Sequence, residues 1–203
     1  TLSTSEEVKA VTAEKLQTEK YDKIVINGVK DLDSGFYTMF TQYVSEIEAT
    51  DCTLLTTLSG IMHVKECKCV FTNTRLDSNQ SIDCYSSTII IDNCSSTNYI
   101  YISSYDGVSN FTFSNSSNLI ILFDVNSKKP LSKQFGTITF LNCSKLNVKY
   151  LPLRDIPSTN VATFMAQFKS LSTLVDINKI DDNNYEITQA DWDKASSLIE
   201  QYP

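Results

Sequence analysis

Residues that usually bend a backbone are scarce here: 203 positions hold five glycines and four prolines. That scarcity excludes a collagen-like chain or a flexible Gly/Pro-rich one. Histidine occurs once, at His63, so there is no imidazole pair to hold a metal. No apolar run approaches the ~20 residues of a membrane-spanning helix, and no charged-then-apolar signal segment opens the chain. Basic residues number 17 against 24 acidic ones, a net charge of −7. This balance disfavours nucleic acid or an anionic membrane as partner. Neither a Gly-x-Ser-x-Gly elbow nor a phosphate loop is present. Because the first residue is Thr1 rather than Met, the sequence is expected to be part of a longer or processed polypeptide.

Paired CxxC spacing is missing as well. Of the six cysteines, Cys52, Cys67, Cys69, Cys84, Cys94 and Cys143, only Cys67 and Cys69 are close in sequence. One such pair cannot complete a tetrahedral metal site. Most lie in alternating apolar segments, so they are expected to be buried free thiols, and folding in a reducing cytosol follows.

What the chain does have is 41% hydrophobic content, ample for a core, and a middle third crowded with Ser, Thr and Asn. These side chains hold tight turns through local bonds to the backbone, without glycine. Three stretches there read as one unit: Thr88-Ile-Ile-Ile-Asp-Asn-Cys-Ser95, Asn110-Phe-Thr-Phe-Ser-Asn-Ser-Ser117 and Thr137-Ile-Thr-Phe-Leu-Asn-Cys-Ser144. Their equivalent asparagines are Asn93, Asn115 and Asn142, spaced 115 − 93 = 22 and 142 − 115 = 27 residues apart. Such a period belongs to a coil-by-coil solenoid. The charged stretch Asn126 to Lys133 accounts for the longer coil, and Ile61 to Cys67 fits the same template with Glu66 in the Asn position.

Short strand-like runs dominate from Gly35 to Tyr150, including Phe36 to Tyr43, Cys52 to Leu58, Ile61 to Val64, Cys69 to Thr72 and Tyr99 to Ile102. No helical period is read there. The chain thus divides into an N-terminal arm with a first strand over 1–34, a solenoid over 35–150 and a small α+β cap or docking module over 151–203. The fold class is mainly β, a right-handed parallel β-helix. A degenerate leucine-rich repeat is the alternative, disfavoured because β-branched and aromatic residues hold the inward positions.

Two resemblances follow from these residues. The unit Ile-x-Phe-x-Asn-x-Ser-x-x-Leu resembles the Asn-ladder turn of pectate-lyase-like solenoids, which implies stacked side-chain amides at one corner. Val11-Thr-Ala-Glu-Lys-Leu-Gln-Thr18, followed by Lys23-Ile-Val-Ile-Asn-Gly28, resembles the connecting segments of bacteriophage fibre proteins. Ala13, Lys15, Leu16, Thr18, Ile24, Ile26 and Gly28 match that pattern, while its usual Thr-Ala-Arg is Thr18-Glu-Lys here. The resemblance implies an arm leading into a β-rich body, a place in a virion assembled in the host cytoplasm, and a homotrimer. Other virion proteins and host-cell glycan are the expected partners. A bacterial surface adhesin is the first rival reading.

Chemistry is the weaker expectation. Asp83, Asp92, Asp106 and Asp124 are the candidate acids of a polysaccharide-cleaving β-helix, the second rival, but they read better as solvated outward positions. His63 reads as an outward structural residue. No catalytic, metal or cofactor site is therefore expected. Tyr85, Tyr99, Tyr101 and Tyr105 are the candidate binding residues, suited to stacking on sugars or packing between subunits. Of five glycosylation-type triplets, at Asn79, Asn93, Asn110, Asn115 and Asn142, three are the repeated turn asparagines, so modification is not expected.

Overall fold

The computed structural model describes residues 1–33, 35–55, 61–76, 80–97, 99–124, 135–143, 147–151 and 185–186. Helices α1 (Ser5–Lys9) and α2 (Ala13–Glu19) come first. The chain then winds through β1 (Lys23–Asn27), β2 (Leu32–Asp33), α3 (Gly35–Phe40), β3 (Glu46–Thr50), β4 (Thr53–Leu55) and β5 (Ile61–Lys65). Next come β6 (Lys68–Thr72), β7 (Arg75–Leu76), β8 (Gln80–Tyr85), β9 (Thr88–Asp92), β10 (Ser95–Ser96) and β11 (Tyr99–Asp106). It continues through β12 (Ser109–Ser114), β13 (Ile120–Asp124), β14 (Phe135–Leu141), β15 (Asn147–Leu151) and β16 (Tyr185–Glu186).

These strands form a parallel β-solenoid with three sheets. The first is β1-β3-β6-β9-β12-β14, the second β2-β4-β7-β10, and the third β5-β8-β11-β13-β15. Every pairing within them is parallel; only β16 runs antiparallel, against β14. In the first sheet Lys23 pairs with Glu46, Glu46 with Lys68, Lys68 with Thr88 and Asn110 with Thr88. Each step up the stack thus advances 20 to 23 residues along the chain and ~4.8 Å along the axis.

The alternation seen in the sequence sets the inside. Ile47, Cys69, Ile89 and Phe111 stack in one interior row of the first sheet, and Ala49, Phe71, Ile91 and Phe113 in the next, each at most 1% exposed. Phe111, Phe113, Phe123, Phe135 and Phe140 fill the C-terminal coils, with Phe113 and Phe140 stacked at 5.0 Å between centroids. Burying each such ring contributes about 1.5–3 kcal/mol. All six cysteines are buried free thiols. Burial pushes the Cys94 thiol up to about 12 and the Cys84 thiol further still, whereas a hydrogen bond with Cys69 pulls Cys67 down.

One expectation changes at the N-terminal end. Phe36 to Tyr43 is not a strand, since α3 occupies Gly35 to Phe40. The Asp33 carboxylate accepts the Gly35 N–H at 2.8 Å, and Tyr37 and Phe40, one turn apart, are both fully buried. An aromatic run reads alike in both periods, and here the open coil needed a plug rather than another strand. α3 packs on β5, the first strand of the third sheet.

The arm, in turn, is a cover. Thr4 and Glu7 form a capping box on α1, Thr12 caps α2, and Lys20 ends α2 in a left-handed conformation. Val8 and Leu16 insert into the core at 1% and 2% exposure. Leu2 lies against the outer edge of β1, donating to Val25 O at 2.7 Å and accepting from the Asn27 N–H at 2.8 Å. The residues that carry the phage-fibre resemblance thus sit in a capped helix, the first strand and, at Gly28, the left-handed turn after it.

Strands β3 and β8 were not read from the sequence, and of Cys52 to Leu58 only Thr53–Leu55 is a strand among the described residues. The Asn126 to Lys133 loop lies outside the described residues, as does the expected C-terminal cap apart from Leu151 and β16. One extra residue of the long coil is visible as a bulge in β14. Ser109 pairs with Phe135 but Phe111 with Ile138, and the freed Thr137 N–H is taken up by Asn110 Oδ1 at 2.9 Å.

Candidate functional site

Left-handed residues make the turns at two corners of the coils. Between the first and second sheets these are Gly28, Asp51, Asn73, Asn93, Asn115 and Asn142, with φ from 48° to 75°. Asn and Asp tolerate this region because their short polar side chains bond locally. Their backbone N–H groups reach the next coil in turn: Asp51 to Thr72 O, Asn73 to Asp92 O, Asn93 to Ser114 O and Asn115 to Leu141 O. Side chains add a ladder. Asn73 donates to Asp51, Asn93 to Asn73 at 3.4 Å, and Asn142 to Asn115 at 3.4 Å. Asn115 instead donates to Asp92 Oδ1 at 2.8 Å, which also accepts the Ser114 hydroxyl at 2.7 Å. Asp92 is therefore a structural acceptor rather than a solvated acid.

The residue after each asparagine has a matching task. Cys52, Thr74, Cys94, Ser116 and Cys143 are all buried. Each of the three thiols approaches the carbonyl two residues back and another one coil below. Cys94 does so at 3.2 Å to Asp92 O and 3.4 Å to Phe71 O, and the Thr74 hydroxyl likewise reaches Thr72 O and Ala49 O. Where the residue is Thr or Ser, its oxygen also accepts the N–H of the coil below, as Ser116 does from Cys94 at 3.0 Å. A small side chain with one proton is what this position requires, which explains the recurrence of Asn-Cys-Ser and Asn-Ser-Ser.

The other corner, between the third and first sheets, is built on Glu66, Ser86 and Gly107, with φ of 50°, 49° and 73°. Glu66 belongs here and not in the asparagine ladder, correcting the alignment of Ile61 to Cys67 with the repeat unit. Like the asparagines, Glu66 and Ser86 follow an alternating strand and precede a small residue, Cys67 or Ser87, so the local pattern is the same at both corners. Gly107 is required: a Cβ there would lie 1.8 Å from the Ser86 hydroxyl oxygen.

Chemistry-bearing residues gather beside this second corner. His63, Asp83, Ser103 and Asp124 form one register row across β5, β8, β11 and β13. They alternate with the core residues Met62, Ile82, Ile102 and Phe123, so they lie on the outer face. Contrary to expectation, Asp83 and Asp124 are not solvated, being 5% and 8% exposed. His63 Nδ1 lies 3.6 Å from Asp83 Oδ2, and the Ser103 hydroxyl donates to Asp124 at 3.4 Å. Asp106 pairs with Tyr85 at the end of β11, and a bulge between Ser104 and Asp106 re-aims Tyr105. Tyr105 consequently stacks on Tyr85 at 5.4 Å and 15°, with the His63 ring 6.4 Å from Tyr85. Tyr101 is half-buried on the same sheet, opposite Ser81 and Leu122. The backbone of Tyr99 pairs with Ile120, and its side chain lies outside the described residues.

An open groove of about 490 Å³ borders the stack, lined by Thr38, Thr41, Gln42, His63, Lys65, Glu66, Tyr85 and Ser86. Its α3 wall is tied to β5, because Thr38 Oγ1 accepts the His63 N–H at 3.1 Å and the Thr41 hydroxyl donates to His63 O at 3.0 Å. Sequence reading missed this wall, having assigned the α3 residues to a strand. Among the described residues no cluster of three or more His, Cys, Asp or Glu is arranged to hold a metal ion.

The chain matches no protein-family model, no curated protein and no solved structure.

Proposed function

We propose that this chain is a structural component of a bacteriophage virion, a fibre or fibre-like appendage. Its solenoid would present a stiff lateral surface to host-cell glycan or to neighbouring virion proteins. The observation that carries the reading is the Tyr85–Tyr105 stack beside an open polar groove, on a sheet fixed by continuous parallel pairing. Stacked phenol rings offer flat apolar area with a polar rim, the combination that sugar rings and protein partners both use. Homotrimer formation belongs to the same proposal. Mass spectrometry of purified particles, with sedimentation of the isolated chain, tests it. The chain should be present at a fixed copy number and sediment as a trimer; absence from particles of a phage that encodes it sinks the reading.

One observation favours a second reading, cleavage of a polysaccharide: the His63–Asp83–Ser103–Asp124 row holds two carboxyls two strands apart. Incubation with host capsule or exopolysaccharide, with and without calcium, should release no new reducing ends if the binding reading holds. Depolymerisation that is lost in Asp83→Asn would replace it.

A further inference from the structure

Several polar side chains elsewhere are engaged: Lys23, Glu46, Glu48 and Lys68 pair with one another, Lys30 donates to Asp51 O, and Glu7 closes a capping box. In the groove three uncommitted polar groups border one cavity. Gln42, Lys65 and Glu66 are exposed, and their side chains have no hydrogen-bond or ion-pair partner among the described residues. They offer a two-way amide, a donor and an acceptor around one cavity that the Tyr85 ring also lines. The groove does not collapse onto them, because the Thr38 and Thr41 hydroxyls hold α3 to the His63 backbone.

We propose that this groove is a binding site for a neutral oligosaccharide, with Tyr85 as the platform for a sugar ring and Gln42, Lys65 and Glu66 as partners for its hydroxyls. The assignment rests on the glycan branch of the function proposed above and gives it a location and a ligand class. Three features select that class. Sugar hydroxyls both donate and accept, matching a lining that contains both kinds of group. The C–H face of a pyranose suits an aromatic ring. The lining also balances Lys65 against Glu66, and a chain of net charge −7 repels an anionic polymer at long range. At about 490 Å³ the groove falls within the range of small-ligand sites. His63 lines the same groove, its Nδ1 3.6 Å from Asp83 Oδ2.

The test is binding of the full chain to an array of neutral hexose and N-acetylhexosamine oligosaccharides, printed beside sialylated and uronate-containing ones. Titration of the best binder against variants follows, with melting temperature recorded for each. Expected is a neutral oligosaccharide whose affinity falls roughly tenfold in Tyr85→Ala and about threefold in the exposed-site variant Gln42→Ala. Tyr85→Phe, which keeps the ring, should restore most of the loss. Affinity retained in both Tyr85→Ala and Gln42→Ala but lost in Tyr101→Ala overturns the groove and leaves glycan binding standing elsewhere on the sheet. Preference for the acidic sugars overturns the ligand class. Binding to no saccharide on the array overturns the groove and the glycan branch together, leaving the virion role to be decided by the particle analysis.

Discussion

At the asparagine corner Asn recurs in four coils after Gly28 and Asp51, and its polar atoms close on the coils above and below. At the groove corner the same left-handed turn is made by Glu66, Ser86 and Gly107, three residues with nothing chemical in common. Repetition at the first corner is the mark of a position answerable to the stack, where each side chain must satisfy its neighbours. The second corner, next to α3 and the tyrosine stack, meets the same backbone demand with different side chains, Gly107 by steric need and Glu66 with its carboxylate at the groove. The most conspicuous sequence motif is therefore structural, and the candidate site lies where the repeat is least regular.

The sharpest way to break that contrast is Thr74→Val. It keeps the shape but removes the hydroxyl that serves Cys52 N–H, Ala49 O and Thr72 O, leaving buried groups unpaired. A loss of about 2 kcal/mol is expected in chemical denaturation; a loss below about 0.5 kcal/mol would mean the corner hydroxyls are dispensable. Asn115→Ala comes next at about 1–2 kcal/mol, combining left-handed strain with two lost amide bonds. Asn115→Gly, which relieves the strain, should cost less than the alanine variant, and equal losses would assign the whole effect to the ladder.

Tyr37 probes the interior between the corners. Its hydroxyl is fully buried with no hydrogen-bond partner among the described residues, and burial holds its ionisation well above the ordinary value. Tyr37→Phe should therefore raise stability by about 1 kcal/mol, read as a higher denaturation midpoint. By contrast, Lys65→Ala and Gln42→Ala at the groove corner should change stability by less than about 0.5 kcal/mol. A larger loss from either would make that corner structural too.

The smallest effect is electrostatic and lies on the first sheet. The hydrogen bond from Lys68 Nζ, at 2.9 Å, holds the Glu46 carboxyl below its ordinary 4.5. A carboxyl lowered on folding contributes stability that is present above that ordinary value and lost as pH falls through the lower folded one. Lys23, raised above 10.5 by Glu48, contributes below 10.5 and loses its part as pH climbs through its raised value. Both groups are exposed, so only a slight extra fall in melting temperature below pH 4.5 is expected, and Lys68→Ala should remove it.

Much of this was legible in the sequence. Alternation in Thr88 to Ile91, Asn110 to Phe113 and Thr137 to Leu141 gave the strands, and the spacing of Asn93, Asn115 and Asn142 gave the coil length. Strands β3 and β8 escaped because Glu46 to Thr50 is interrupted by charge and Gln80 to Tyr85 by Asp83, on outer faces that polar residues are free to occupy. Helix α3 escaped because Phe36, Tyr37 and Phe40 satisfy either period, and only the need to close an open coil decides between them. The groove escaped with it, since three of its eight lining residues, Thr38, Thr41 and Gln42, come from that helix and the turn that follows.

Residue order alone determined the inside and outside of each strand and the step of the coil, because a period of two and a repeat of about 22 are properties of the chain itself. Only the tertiary structure decided which corner each left-handed residue serves, that Asp92 joins the ladder while Asp83 faces His63, and that Tyr105 stacks on Tyr85. Those outcomes depend on register between strands about 20 residues apart and on one bulge. Register is set by the packing of whole coils, which no local pattern encodes.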